Sequence, residues 1–327
     1  MSDVLLLSRA ALVTTLDFRS CIAAIEAAFH AERLGEWNTP QRIAAHAGRG
    51  ALLAMPCGSE ARQALGAKLV ATFPGNSERG LPSVSGLYAL FDPATGEPQA
   101  VMDGAYLTLV RTAAVSAFAT SLLARSDSTT LGILGAGAQA EFHARLLVTV
   151  RPIRKVVIWA RRPAQAQSLL VSLQEDLSAV ECRIAEHPEE AAQCDIVVAA
   201  TAATEPILHG RWLLEGCHVN AIGAHTKTTR EIDTEAILRA STLAVETLDT
   251  FAEAGDFQIP LAKAPEILER VATLGALADP DHPLPGRDPR SISVFKSCGV
   301  AFEDLAMAAL AHERAITLDL GTRFRFR

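Results

Sequence analysis

The chain has 327 residues, room for about two domains, and with 49% hydrophobic and 20% charged residues it can bury a sizeable core and is not disordered in bulk. Its net charge of −7 disfavours nucleic acid or an anionic membrane as the main partner. Uncharged runs reach only 13 residues, at Thr112–Ala124 and Ser128–Ala140, short of the roughly 20 that cross a bilayer, and the opening lacks the basic-then-apolar pattern of a secretory signal.

The first segment predicts an amphipathic helix. Ile22, Ile25, Ala28 and Phe29 recur at three- and four-residue spacing, and Gly35 supplies a stop. Residues 51–56, 67–73 and 83–91 are short apolar runs separated by Pro- and Gly-containing turns, the pattern of a strand meander. From Leu107 an Ala-rich helix runs to about Arg125. Beyond it, Leu131–Leu134, Val156–Trp159, Ile196–Ala200, His218–Ile222 and Leu243–Val245 read as buried strands. Helical stretches at Ala138–Val150 and Ala164–Leu177 alternate with them, so the middle of the chain is expected to form a doubly wound parallel sheet. Asp279–Arg290 is a loop rich in Pro and charge, and Phe302–His312 is a last apolar-periodic helix, expected to return to the N-terminal domain.

The sharpest local signal is Gly135-Ala136-Gly137-Ala138-Gln139-Ala140, placed between a strand and a helix. In this GxGxxA form Gly135 permits the tight turn, Gly137 lets backbone approach a pyrophosphate, and Ala140 lets helix and strand pack closely. The pyrophosphate then sits on N–H groups at the helix N-terminus, beside Ala138 and Gln139. At the end of the second strand, where an NAD site places an acid, the sequence has Ala160-Arg161-Arg162. Two guanidiniums suit a 2′-phosphate, which favours NADPH over NADH; the alternative is a solvated basic loop.

Three cations stand in apolar or small-residue surroundings: Arg42, Lys68 and Arg111. Each calls for an anionic partner, and two readings are open. One is a ligand carboxylate; the other is an ion pair with Asp103, Glu60 or another acid. His143, in the helix after the glycine loop, reads as a packed or capping residue. His209, His218 and His225 have no spacing for zinc, and no metal site is expected. The six cysteines contain no CxxC pair and read as small core residues of a cytoplasmic protein.

Several motifs occur in an order that resembles the ornithine cyclodeaminase/mu-crystallin family, and within it the ketimine-reductase branch. They are Ala67-Lys68-Leu69-Val70, Ala100-Val101-Met102-Asp103-Gly104, Arg111-Thr112-Ala113-Ala114-Val115-Ser116-Ala117 and the glycine loop. Ala203-Thr204-Glu205-Pro206-Ile207-Leu208, Asn220-Ala221-Ile222-Gly223-Ala224 and Val294-Phe295-Lys296-Ser297 continue the series. The resemblance implies a Rossmann-type domain (118–302) inserted into an α/β dimerisation and substrate-binding domain (1–117 plus 303–327), and a homodimer. It implies that Arg42, Lys68 and Arg111 meet a substrate carboxylate and that Ser83, Thr112, Thr201, Ile222 and Ser297 contact the cofactor. The expected activity is NADPH-dependent reduction of Δ1-pyrroline-2-carboxylate and Δ1-piperideine-2-carboxylate to L-proline and L-pipecolate. The alternatives are an alanine-dehydrogenase-like enzyme, a cyclodeaminase, or a ligand-binding relative without catalysis. One departure bears on them: where the cyclodeaminase branch carries an aspartate, this sequence has His225, which is expected to hydrogen-bond a substrate nitrogen or relay a proton, the alternative being a cofactor-ribose or water contact; Lys68 or a water held by His225 is expected to supply any proton required.

Overall fold

The computed structural model describes residues 3–281 and 288–325, so residues 282–287 of the expected loop lie outside the described residues. In chain order the first elements are β1 (Val4–Leu7), α1 (Arg9–Thr15), α2 (Phe18–Arg33), β2 (Ile43–Ala47), β3 (Gly50–Ser59), β4 (Ala64–Thr72), β5 (Val84–Phe91), β6 (Pro98–Asp103) and α3 (Gly104–Leu123). Then come β7 (Thr130–Leu134), α4 (Ala138–Val150), β8 (Lys155–Trp159), α5 (Pro163–Asp176), β9 (Glu181–Ile184), α6 (Pro188–Ala192), β10 (Ile196–Ala199), β11 (His218–Ala221) and α7 (Thr234–Arg239). The chain closes with β12 (Ala240–Val245), α8 (Leu248–Glu253), α9 (Gly255–Leu261), β13 (Val271–Thr273), α10 (Leu274–Leu277), β14 (Ile292–Lys296), α11 (Ala301–Thr317) and β15 (Thr322–Phe324). It divides into two compact units, Met1–Arg111 with Val300–Arg327, and Thr112–Gly299.

The first unit is built on a seven-stranded sheet in the order β15-β1-β6-β5-β4-β3-β2, antiparallel except for the β1–β6 pair. Strand alternation sets its two faces. On β4, Gly66, Lys68 and Val70 point inward and are buried, whereas Leu65 and Leu69 are exposed. The inward face is covered by α11, which lies against α2. In α2 the carboxylate of Asp17 accepts from the Ser20 N–H, and Cys21, Ile25, Ala28 and Phe29 form the buried stripe. Phe29 meets Phe302 of α11 edge-on, with centroids 5.1 Å apart. The outward face is unusually apolar: Leu52, Leu65, Leu69 and Leu87 are 37–46% exposed, and Leu69 pairs directly with Leu87 across β4 and β5.

The second unit holds an eight-stranded, wholly parallel sheet in the order β13-β12-β14-β11-β10-β7-β8-β9. Its chain starts in the middle at β7, winds out through β8 and β9, and returns on the other side at β10. The strand order therefore reverses between β7 and β10, which in open α/β sheets is where ligands bind, beyond the carboxyl ends of the strands. Continuous burial along β10, β11 and β14 follows from helices covering both faces of such a sheet.

Among the described residues α3 alone has the length and apolarity of a membrane span, which the search for uncharged runs missed because Arg111 interrupts it. With 78% of its most apolar window buried inside the protein, it is a core helix.

Candidate functional site

In the first unit the inward position of Lys68 on β4 places its ammonium 2.6 Å from Asp304 Oδ2 on α11. Arg111 on α3 donates through Nε to Asp304 Oδ1 at 3.2 Å and through Nη1 to Glu303 Oε2 at 2.9 Å. Glu303 and Asp304 are fully buried; the cations keep a sliver of exposure. Two positive and two negative groups thus share one apolar compartment and balance in charge. Burial pulls the Lys68 ammonium down to about 8, against the opposing pull of Asp304. Tyr88, opposite Lys68 across β4 and β5, is fully buried, and burial raises its phenol well above the ordinary value.

Lys68 and Arg111 thus meet acids of α11. The Asp103 carboxylate caps α3, accepting from the Ala105 and Tyr106 N–H groups at 3.0 Å each. Arg42, half-buried, stands just before β2 at the edge of the same sheet, and Ser83 stands just before β5, its carbonyl accepting from Phe73 N.

In the second unit a cavity of about 280 Å³ opens beyond the carboxyl ends of β7, β8 and β10. The glycine loop, Trp159 to Arg162, Gln165, Ala200 to Ala203 and Ile207 line it. Gly135 has φ +119°, and a side chain there would meet the Ala200 carbonyl at 2.4 Å. Only glycine fits this turn. In front of Gly137 there is open space, and this residue caps α4 with no side-chain acceptor, leaving first-turn N–H groups for an anion. Ala138 is exposed and Gln139 half-buried in that first turn. Arg161 and Arg162 are both exposed on the cavity wall, with no carboxylate beside them in the strand end. These residues fit a dinucleotide: a backbone cradle for the pyrophosphate, with two guanidiniums on the cavity wall.

Three of the remaining expected residues follow strands of the same sheet. Thr201 follows β10, and its N–H and hydroxyl both donate to Glu231 Oε1 at 2.7 Å. Ile222, half-buried, follows β11. Ser297 follows β14 and is buried, its hydroxyl donating to Glu246 Oε1 at 2.5 Å. Thr112 is buried within α3. His225 is exposed, with Nδ1 donating to the Gly223 carbonyl at 3.1 Å. His143 is a structural residue: fully buried, it donates from Nδ1 to the Gln139 carbonyl at 2.7 Å and accepts at Nε2 from the Ser116 hydroxyl. Burial pulls its imidazole down to about 4, so it is neutral at physiological pH.

Sequence reasoning missed the buried acids. Glu303 and Asp304 open an apolar helix and look like ordinary first-turn acids. Glu231 and Glu246 sit in loop-like sequence; burial pushes the Glu231 carboxyl up to about 7, opposed by Lys296 and Thr201. The one available signal was charge balance, since apolar segments holding Lys68 and Arg111 require acids elsewhere in the chain.

Residues 3–318 match the ornithine cyclodeaminase/mu-crystallin family. The Δ1-pyrroline-2-carboxylate reductase of Thermococcus litoralis, solved in complex with NADH and L-proline, superposes with a TM-score of 0.93 at 34% identity, covering 98% of this chain and 99% of that one. The ketimine reductase mu-crystallin of Mus musculus is 37% identical over 267 residues, 81% of this chain and 80% of the relative. The alanine dehydrogenase of Archaeoglobus fulgidus is 32% identical over 330 residues, 99% of each chain.

Removing one member of the buried ion cluster leaves uncompensated charge. Asp304→Asn should therefore cost about 3–5 kcal/mol in urea unfolding, and replacing Lys68 and Asp304 together by Met and Leu should recover much of that loss. An Asp304→Asn protein within about 1 kcal/mol of the parent would show that the cluster contributes nothing to stability.

Proposed function

Because the chain belongs to the ornithine cyclodeaminase/mu-crystallin family, we propose that it is a nicotinamide-dependent oxidoreductase acting on the C=N bond of small cyclic imino acids. The substrates are Δ1-pyrroline-2-carboxylate and Δ1-piperideine-2-carboxylate, reduced to L-proline and L-pipecolate, with NADPH preferred and NADH the alternative. The observation that carries this reading is the buried pair of cations, Lys68 and Arg111, in a chain that also holds a dinucleotide-shaped cavity. The names of the reductase relatives support the substrate class. On this reading 1–117 with 303–327 serves as substrate-binding and dimerisation domain, and 118–302 as cofactor domain.

The substrate carboxylate is held by Arg111 and Lys68, with Arg42 as the third cation. Glu303 and Asp304 fix the plane of the Arg111 guanidinium through its Nε and Nη1, so the fork is oriented before a ligand arrives. A protonated cyclic imine already carries positive charge on nitrogen, so positioning matters more than a strong acid. Lys68, drawn down to about 8 by burial, grips the carboxylate as an ammonium, and a water held by His225 protonates the imine nitrogen of any substrate that arrives neutral. In the second unit the Gly135–Gln139 segment holds the pyrophosphate and Arg161 and Arg162 the 2′-phosphate. Thr201, Ile222 and Ser297 shape the nicotinamide end, and Ser83 and Thr112 complete the cofactor contacts. When bound, the nicotinamide supplies the hydride.

Alanine dehydrogenase activity is the second reading, favoured by the Archaeoglobus relative matching end to end. It predicts reductive amination of pyruvate with ammonia. A cyclodeaminase reading is disfavoured by His225 in place of the branch's aspartate.

A spectrophotometric panel of Δ1-pyrroline-2-carboxylate, Δ1-piperideine-2-carboxylate, pyruvate with ammonia, and L-ornithine tests the reading. The two imino acids should be reduced, with NADPH exceeding NADH by about tenfold in kcat/KM, and Arg161→Ala should erode that ratio. Parity between the cofactors would remove the role of the arginines, and turnover of pyruvate alone would replace the substrate assignment. Since an ammonium grips a carboxylate and a neutral amine does not, kcat/KM should fall as pH rises through about 8. Asp304→Asn, which removes an anion that raises the Lys68 pKa, should move this limb to lower pH; an unchanged limb would exclude Lys68 as the titrating group.

The apolar outer face of the first unit's sheet supports a homodimer, because so many adjacent exposed leucines are costly in water. Leu69→Glu with Leu87→Glu should give a monomer by light scattering. A protein that stays dimeric with both substitutions would place the interface elsewhere.

A further inference from the structure

We propose that Glu231 is a positioning residue for the cofactor cavity: it fixes the segment that leaves β10 against the one that leaves β11, and so sets one wall of that cavity. The inference rests on the dinucleotide reading of the cavity given above.

Glu231 is fully buried and lies between two strand ends. One carboxylate oxygen accepts from the Thr201 N–H and hydroxyl, both at 2.7 Å. The other accepts from the Gly223 N–H at 2.5 Å and the Ala224 N–H at 3.2 Å. Four donors therefore converge on one side chain, two from each loop. An ionised carboxylate, which accepts and does not donate, satisfies all of them.

The backbone of Glu231 is pinned as well. Its N–H and that of Ile232 donate to Asp256 Oδ1, at 2.8 and 3.1 Å. Its carbonyl accepts from the Ile207 and Leu208 N–H groups. Asp256 is held in turn by the buried Lys296 ammonium, 3.0 Å from Oδ2 at the end of β14. The clamp is thus anchored to a third strand and has little freedom to follow the loops; the loops must conform to it.

The contact with Gly223 leaves no slack. A Cβ there would lie 2.0 Å from the Thr201 carbonyl oxygen and 2.6 Å from Glu231 Oε1. Thr201 is itself a cavity-lining residue, and Ala200 and Ala203 line the same wall, with the Ala203 N–H donating to the Thr201 hydroxyl. Across from that wall, Gly135 abuts the Ala200 carbonyl. A shift of the loop after β10 is therefore transmitted to the turn that cradles the pyrophosphate. Glu231 does not line the cavity and acts through Thr201.

The test uses Glu231→Gln. A glutamine offers one oxygen and one NH2 group, so one pair of donors must face another donor. Facing Thr201, the hydroxyl can turn to accept, but the Thr201 N–H loses its acceptor. Fluorescence titration with NADPH should show affinity weakened by roughly tenfold to a hundredfold, while kcat at saturating cofactor stays within about threefold. Thr201→Val, which removes only the hydroxyl, should weaken NADPH less, and should add little when combined with Glu231→Gln. A folded Glu231→Gln protein with parental NADPH affinity, even with a lowered Tm, would reduce Glu231 to a stability element and overturn the inference. If Glu231→Gln fails to fold, Thr201→Val decides: parental affinity in that variant overturns it too. An unmodified protein that binds neither NADPH nor NADH would overturn the cofactor reading and this inference with it.

Discussion

Two acids from the last helix make it tolerable for Lys68 and Arg111 to sit inside the first unit. An isolated buried ammonium or guanidinium is costly enough that a chain normally avoids it. Here the compensating charges lie far along the sequence: Asp304 is 236 residues from Lys68, and Glu303 and Asp304 are 192 and 193 from Arg111. The first unit is therefore electrostatically incomplete until the whole intervening segment has been made and α11 has docked on the inward face of the sheet. The two ends of the chain must fold together because their charges require it. The same pairing leaves both cations oriented and almost desolvated.

The second unit uses buried carboxylates differently. Glu231 and Glu246 accept from backbone N–H groups of the loops beyond β10, β11 and β14, where a sheet edge would otherwise leave donors unpaired. Loops that are irregular in sequence are thereby held in place, and the one after β10 lines the cavity. The glycine turn adds the complementary device: no side chain at Gly135, so that backbone from two strands closes to contact. Rigidity comes from hydrogen-bonded acids on one side and from absent side chains on the other.

Much of this was legible in the residues. The GxGxxA turn, the strand–helix alternation from Leu131 onward and the helix at Ala138–Val150 follow from local pattern, because they are continuous and strongly apolar or glycine-marked. The strands β2, β9, β13 and β15 escaped because they bury no residue and so lack the continuous apolar run that marked the equally short β7, β8, β10 and β11; β1 and β6 escaped as well. β14 escaped because it ends in Lys296, whose burial is compensated by Asp256, forty residues earlier in sequence and invisible to any local rule. Asp103, one of the acids weighed as an ion-pair partner, is near Arg111 in sequence; the acids that meet Arg111 come from the other end of the chain. Lys68 and Arg111 were identifiable as unusual, but not as members of one cluster, since their meeting depends on strand register and on the docking of α11.

The proposed reduction delivers a hydride to C2 of the imine. Running Δ1-pyrroline-2-carboxylate with NADPH deuterated at both C4 positions, with mass spectrometry of the product, tests this. L-proline heavier by one deuterium, located at C2, is expected. Proline formed without label, or no proline beside an enzyme that turns over a different substrate, would contradict it.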